Sequence, residues 1–106
     1  MLPAHPIASL LNGWNPYDPS WLLQLAHDQV PEEAWLAEAL AKCTQARSAG
    51  SAYVYFVDNS RPNKPGSDWQ FERNIVLFHP TEGEVIVDVL QGQRIGGVEL
   101  WEKLLK

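Results

Sequence analysis

The stretch that most constrains this chain runs over residues 69–100. It reads as strand, tight turn, strand, tight turn and a Gly-Gly break. Val85, Ile86 and Val87, continued past Asp88 by Val89 and Leu90, form its most strand-like run. Residues 69–79 alternate, with Trp69, Phe71, Arg73, Ile75, Leu77 and His79 on one face. Pro80, Thr81, Glu82 and Gly83 make a hairpin loop, with glycine supplying positive φ. Through that turn Phe78 falls near Glu84 or Val85, and Glu72 near Leu90 or Gln91. Asp88 reads as a charge that discourages edge aggregation. Arg94 and Ile95 add a short edge strand. Gly96-Gly97 then bends the backbone, and Val98, Trp101, Leu104 and Leu105 share one face of a short C-terminal helix. A strand through Val98, Glu99 and Leu100 is the rival reading.

Upstream the periodicity changes. Residues 7–11 can form a helical turn closed by Asn12-Gly13. Asp18-Pro19 is a helix start, a capping carboxylate followed by proline at the first helical position, and a helix over 19–27 follows. A longer helix is expected over residues 31–47. Pro31 opens it, Glu32 and Glu33 suit its positive end, and Leu36, Leu40 and Cys43 lie on its apolar stripe. Residues 51–58 carry apolar or aromatic side chains on both faces, which predicts a central strand. Residues 59–68, with Pro62, Pro65 and Gly66, form a loop. The fold class is therefore α+β: two to three N-terminal helices, an antiparallel meander of three to four strands and a short C-terminal helix. With 106 residues a single domain is expected over 1–106, with residues 1–18 a loosely docked segment.

The net charge of −5 argues against nucleic-acid and anionic-membrane partners, both of which need clustered Lys and Arg. The charge is uneven. No Lys or Arg precedes Lys42, whereas Asp18, Asp28, Glu32, Glu33 and Glu38 all do. A single cysteine, Cys43, excludes an internal disulfide and suits a reducing compartment. No apolar run approaches the roughly 20 residues of a membrane span. The first residues lack the basic region of a signal peptide, so a cytoplasmic protein is expected.

No catalytic, cofactor or metal motif emerges. His5, His27 and His79 have no ligand partner at a metal spacing. His79, before Pro80, suits turn capping. Cys43 on an apolar stripe reads as a small buried hydrophobe. Glu72, Glu84 and Asp88 spread along their strands instead of converging. The conspicuous feature is aromatic: Trp14, Tyr17 and Trp21 fall within eight residues beside Pro16 and Pro19. They either wrap the core or anchor a partner, because large aromatics bury much area at low entropic cost. Arg61, Lys64 and Trp69 extend that candidate surface onto the loop, and the strand edge at Arg94 and Ile95 offers strand addition.

In size and charge alone the chain is similar to secretion chaperones and toxin-immunity proteins, a likeness that assigns no residue. The expected function is a small acidic protein-binding module, an adaptor or assembly chaperone without catalysis. Its partner would be another protein or peptide segment, and a homodimer through residues 85–90 stays open. One alternative is an immunity-type inhibitor whose acidic N-terminal half neutralises a basic toxin or nuclease. The other is a small hydrolase using strand carboxylates or His79.

Overall fold

A computed structural model describes residues 13–104 of the chain; the helical turn expected over residues 7–11 lies outside them. The fold is α+β, with three helices and one six-stranded antiparallel sheet among the described residues. In chain order the elements are β1 (Asn15–Pro16), α1 (Ser20–Gln29), α2 (Ala34–Ala41), β2 (Gln45–Ala49), β3 (Tyr53–Tyr55), β4 (Phe71–His79), β5 (Gly83–Leu90), β6 (Arg94–Leu100) and α3 (Trp101–Leu104). The sheet order is β1-β2-β3-β6-β5-β4. β4, β5 and β6 form the expected meander, and the sheet is wider than the three to four strands read from the sequence.

The β4–β5 hairpin is the best-specified part. Phe78 pairs with Glu84, Ile75 with Val87 and Asn74 with Asp88. Gly83 takes φ 76°, the left-handed conformation the turn requires. His79 caps that turn: its Nδ1 accepts the backbone N–H groups of Thr81 and Glu82, each at 3.1 Å.

Two expectations are corrected around the helices. The helix predicted over residues 31–47 runs only from Ala34 to Ala41, and residues 45–49 form β2. The three- and four-residue spacing continues past Cys43. From Gln45, however, the backbone exchanges helical bonds for antiparallel pairing with β1 on one side and β3 on the other. Ala46 is buried in that pairing. Tertiary pairing overrides a weak local preference here. Helix α1 starts one residue later than expected. Asp18 Oδ1 accepts the Ser20 backbone N–H at 3.0 Å, while Pro19 occupies the cap position.

The largest correction concerns β6. The predicted short edge strand at Arg94 and Ile95, followed by a bend, is a seven-residue strand between β3 and β5. The rival reading through Val98, Glu99 and Leu100 is the observed one, and the C-terminal helix is one turn, Trp101–Leu104. Gly96 and Gly97 are there for packing. A Cβ on Gly97 would lie 2.6 Å from the Val54 carbonyl oxygen, and one on Gly96 2.8 Å from the Trp69 ring. Gly96 also marks a bulge, since pairing with β5 skips from Gly97 to Ile95.

One face of the sheet is covered and one is open. Leu22, Leu25 and Ala26 of α1 and Leu36 and Leu40 of α2 pack on Ile75, Leu77, Val85, Val87, Val89 and Val98 as a single core. Arg73 ties β4 to α2 by an ion pair with Glu33 at 3.5 Å and by stacking on Trp35 at 5.6 Å. The chain between β3 and β4 crosses from mid-sheet to the far edge, past β6 and β5. That is about 14 Å at the usual strand spacing, which accounts for the long loop.

Candidate functional site: the open sheet face and its free edge

The register defines three rows across the uncovered face. The first contains Asn74, Asp88, Gly97, Tyr55 and, on β2, Arg47; the second Val76, Ile86, Glu99, Tyr53 and Ala49; the third begins with Phe78 and Glu84. Tyr53 and Tyr55 stack at 5.6 Å with rings 10° apart, and Tyr55 meets the edge of Trp69 at 5.8 Å. Trp69 and Leu90 are buried on this side. Val76 and Phe78 remain 42% and 59% exposed, with Phe71 at 39% further along the same strand. Large apolar side chains are usually hidden, so three on one strand distinguish this surface.

Asp88 is 5% exposed although it is a carboxylic acid. It stands diagonal to Glu99 across the β5–β6 pairing and within hydrogen-bonding reach of it. Burial first, then the hydrogen bond and charge of Glu99, push the Asp88 carboxyl up to about 8. At neutral pH Asp88 therefore holds a proton and donates it to Glu99. Glu99 also accepts a hydrogen bond from the Tyr53 hydroxyl, and burial raises the phenol pKa of Tyr53 and Tyr55. Asp88 lies inside a central strand, so its predicted role as an edge charge is corrected. Its pairing with Glu99 escapes sequence reasoning because it depends on β6 running on through Glu99 beside β5.

Among the described residues the sheet has no strand beyond β4, and side chains hydrogen-bond to that edge at both ends. At one end Gln29, the last residue of α1, uses both halves of its amide on Phe78: Nε2 donates to the carbonyl at 2.7 Å and Oε1 accepts the N–H at 2.8 Å. At the other end Asn63 Oδ1 accepts the Phe71 N–H at 2.9 Å. Alternate residues of a strand point their backbone groups the same way. The N–H and C=O of Asn74 and Val76 therefore point outward like those of Phe78, between the two clamps.

The residues singled out from sequence are not brought together. Tyr17 and Trp21 pack against the helix-side core. Trp21 Nε1 donates to the Tyr17 hydroxyl at 2.9 Å, and their rings meet His79 and Phe56 edge-on. Trp14 is half-buried beneath the Arg47 guanidinium, 5.1 Å from its ring centre. Trp69 lies across the sheet from Tyr17 and Trp21. Arg61 and Lys64 are exposed on the loop. Of the acids considered for catalysis, Glu72 is exposed beside Arg73 at 3.7 Å. Glu84 and Asp88 are spread along β5. Among the described residues no group of three or more His, Cys, Asp or Glu is placed to hold a metal.

A separate groove of about 440 Å³ lies between the end of α2 and the sheet, lined by Trp35, Lys42, Cys43, Phe56 and Arg94 among others. Burial pushes the Cys43 thiol up to about 12. It donates weakly to the Ala39 carbonyl at 3.6 Å, so it is no nucleophile at neutral pH.

No protein-family model matches the chain, and no curated protein or solved structure matches it. Among the described residues no helix is long and apolar enough to cross a membrane.

Proposed function

We propose that this chain is a protein-binding module, an adaptor or assembly chaperone that docks a partner on the uncovered sheet face and performs no chemistry of its own. One observation carries the reading: Phe71, Val76 and Phe78 are all exposed on β4, the strand with an open edge. Exposed apolar side chains beside unpaired backbone groups suit a protein surface better than a small solute. The test uses a photo-crosslinking amino acid at Phe78 and, separately, at Asp28 on the exposed side of α1. Adducts with a specific protein from position 78 and none from position 28 support the reading. No adduct from position 78 overturns it.

The immunity-type reading is the second one. Asp18, Asp28, Glu32 and Glu38 are exposed on the acidic N-terminal half, which suits a basic enzyme as target by charge complementarity. It predicts the opposite pattern, with adducts from position 28 and binding that fades steeply with salt.

A further inference from the structure

We infer that the partner enters as an extended strand whose sheet-facing side chains are apolar beside Val76 and basic beside Glu84, and that it pairs with the outward backbone of Asn74 and Val76. This rests on the docking reading above and specifies its geometry. Gln29 marks where such a strand would lie. Its amide makes with Phe78 the same two bonds, one given and one received, that an antiparallel neighbour would make. The Asn63 bond to Phe71 closes the other end. Between them the edge offers Asn74 and Val76, enough to align a short strand but not to template an extended sheet.

The charge of the adjoining face selects the partner. Across β3 to β6, the rows that begin at Asn74, Val76 and Phe78 contain Asp88, Glu99 and Glu84 and no Lys or Arg, and a cation enters the first row only beyond Tyr55, with Arg47 on β2. Arg94 lies at the far end of this face, where the carbonyls of Asp68 and Gln91 accept its guanidinium N–H groups. An added strand places every second side chain over this surface. Of the side chains turned to the face, an apolar one meets Val76, and a long basic one two residues along reaches past Phe78 to Glu84 on β5; Glu99, two strands in from the edge, adds only to the negative field. A second copy of this chain would bring acid against acid and is disfavoured by the same arrangement.

The experiment titrates the isotope-labelled full chain with a short lysine peptide, in which valine and lysine take alternate sheet-facing positions with serine between them, and with a control that carries glutamate in place of lysine. Binding of the lysine peptide should slow exchange of the Asn74 and Val76 amides at least about tenfold. The Leu77 amide, already paired with β5, should change little. Val76→Pro removes an outward N–H on an edge strand, a placement proline tolerates, and should weaken binding about tenfold beyond the Val76→Ala control, which loses the side chain alone. Glu84→Lys leaves the backbone edge intact and should both weaken binding and flatten its salt dependence.

Binding without slowed exchange at Asn74 and Val76, or binding no weaker in a folded Val76→Pro variant than in Val76→Ala, overturns strand pairing. Equal affinity for the two peptides, or indifference to Glu84→Lys, overturns the basic partner. Failure of both peptides to bind overturns the inference as a whole. In each of these cases the docking reading is judged separately, by the adducts formed at position 78.

Discussion

Asp88 and Trp21 show how differently single residues serve this molecule. The folded chain holds the Asp88 proton up to about pH 8, whereas an unfolded Asp releases it near pH 3.9. Between those limits the native state binds more protons, so this residue makes stability fall as pH rises. The groups facing it are Glu99, Tyr53 and Tyr55, and none is a cation that would offset the effect. Thermal unfolding midpoints should decline from pH 5 to pH 8. Asp88→Asn keeps a donor toward Glu99 without a titrating proton, so it should flatten that decline and raise the midpoint at pH 8. Parallel profiles for wild type and variant would refute the assignment. Trp21, by contrast, spends its side chain internally, on the Tyr17 hydroxyl and the His79 ring. Trp21→Ala should cost about 2–3 kcal/mol in chemical denaturation, below the range for a fully buried Trp because the residue is half-buried. It should leave partner adducts from position 78 unchanged.

At the scale of elements, the strands with plain alternation were legible and those shaped by their neighbours were not. The β4–β5 register near the turn followed from Pro80–Gly83 and the valine alternation, with Phe78 opposite Glu84 as one of two pairings the turn allowed; the bulge between Phe71 and Arg73, which puts Phe71 and not Glu72 opposite Leu90 and turns Phe71 to the face opposite Arg73, did not. β6 failed because Gly96-Gly97 resembles a bend locally. The reason for the pair lies in the close approach of Val54 and Trp69, which no local pattern encodes. β2 failed because its side chains also satisfy helical spacing. The candidate site suffered most, since a free edge is known only once the strand order is known. The same logic makes Gly97→Ala costly. Its methyl would press on the Val54 carbonyl, and urea unfolding should show a loss of about 2–3 kcal/mol. Gln29→Ala acts at the other extreme of the sheet. It removes two exposed hydrogen bonds, costing about 1 kcal/mol, and frees the outward groups of Phe78. Sedimentation velocity should then show self-association absent from the wild type at equal concentration; a strictly monomeric variant would mean the clamp does not guard the edge.

For the molecule as a whole, the division into a covered and an open face sets how it meets other chains. Helices α1 and α2 shelter the valine-rich side of the sheet, so the exposed large apolar side chains lie on β4, with Trp101 on α3. A surface of that kind invites self-association, which a net charge of −5 opposes. Asp88 keeps its proton at neutral pH, so the carboxylates that the β4-to-β6 part of the open face turns toward an identical copy are Glu84 and Glu99. Salt therefore acts in opposite directions on the two kinds of encounter. Raising it from about 0.05 to 1 M shortens the screening length from above 10 Å to about 3 Å. Contact between copies through β4 should strengthen, while binding of a basic strand should weaken. Sedimentation equilibrium and peptide titration at the two salt concentrations measure both. If each responds in the same direction, the charges on the open face are not what distinguishes one partner from the other. The outward side chains Val76 and Phe78 would then have to account for selectivity by shape alone.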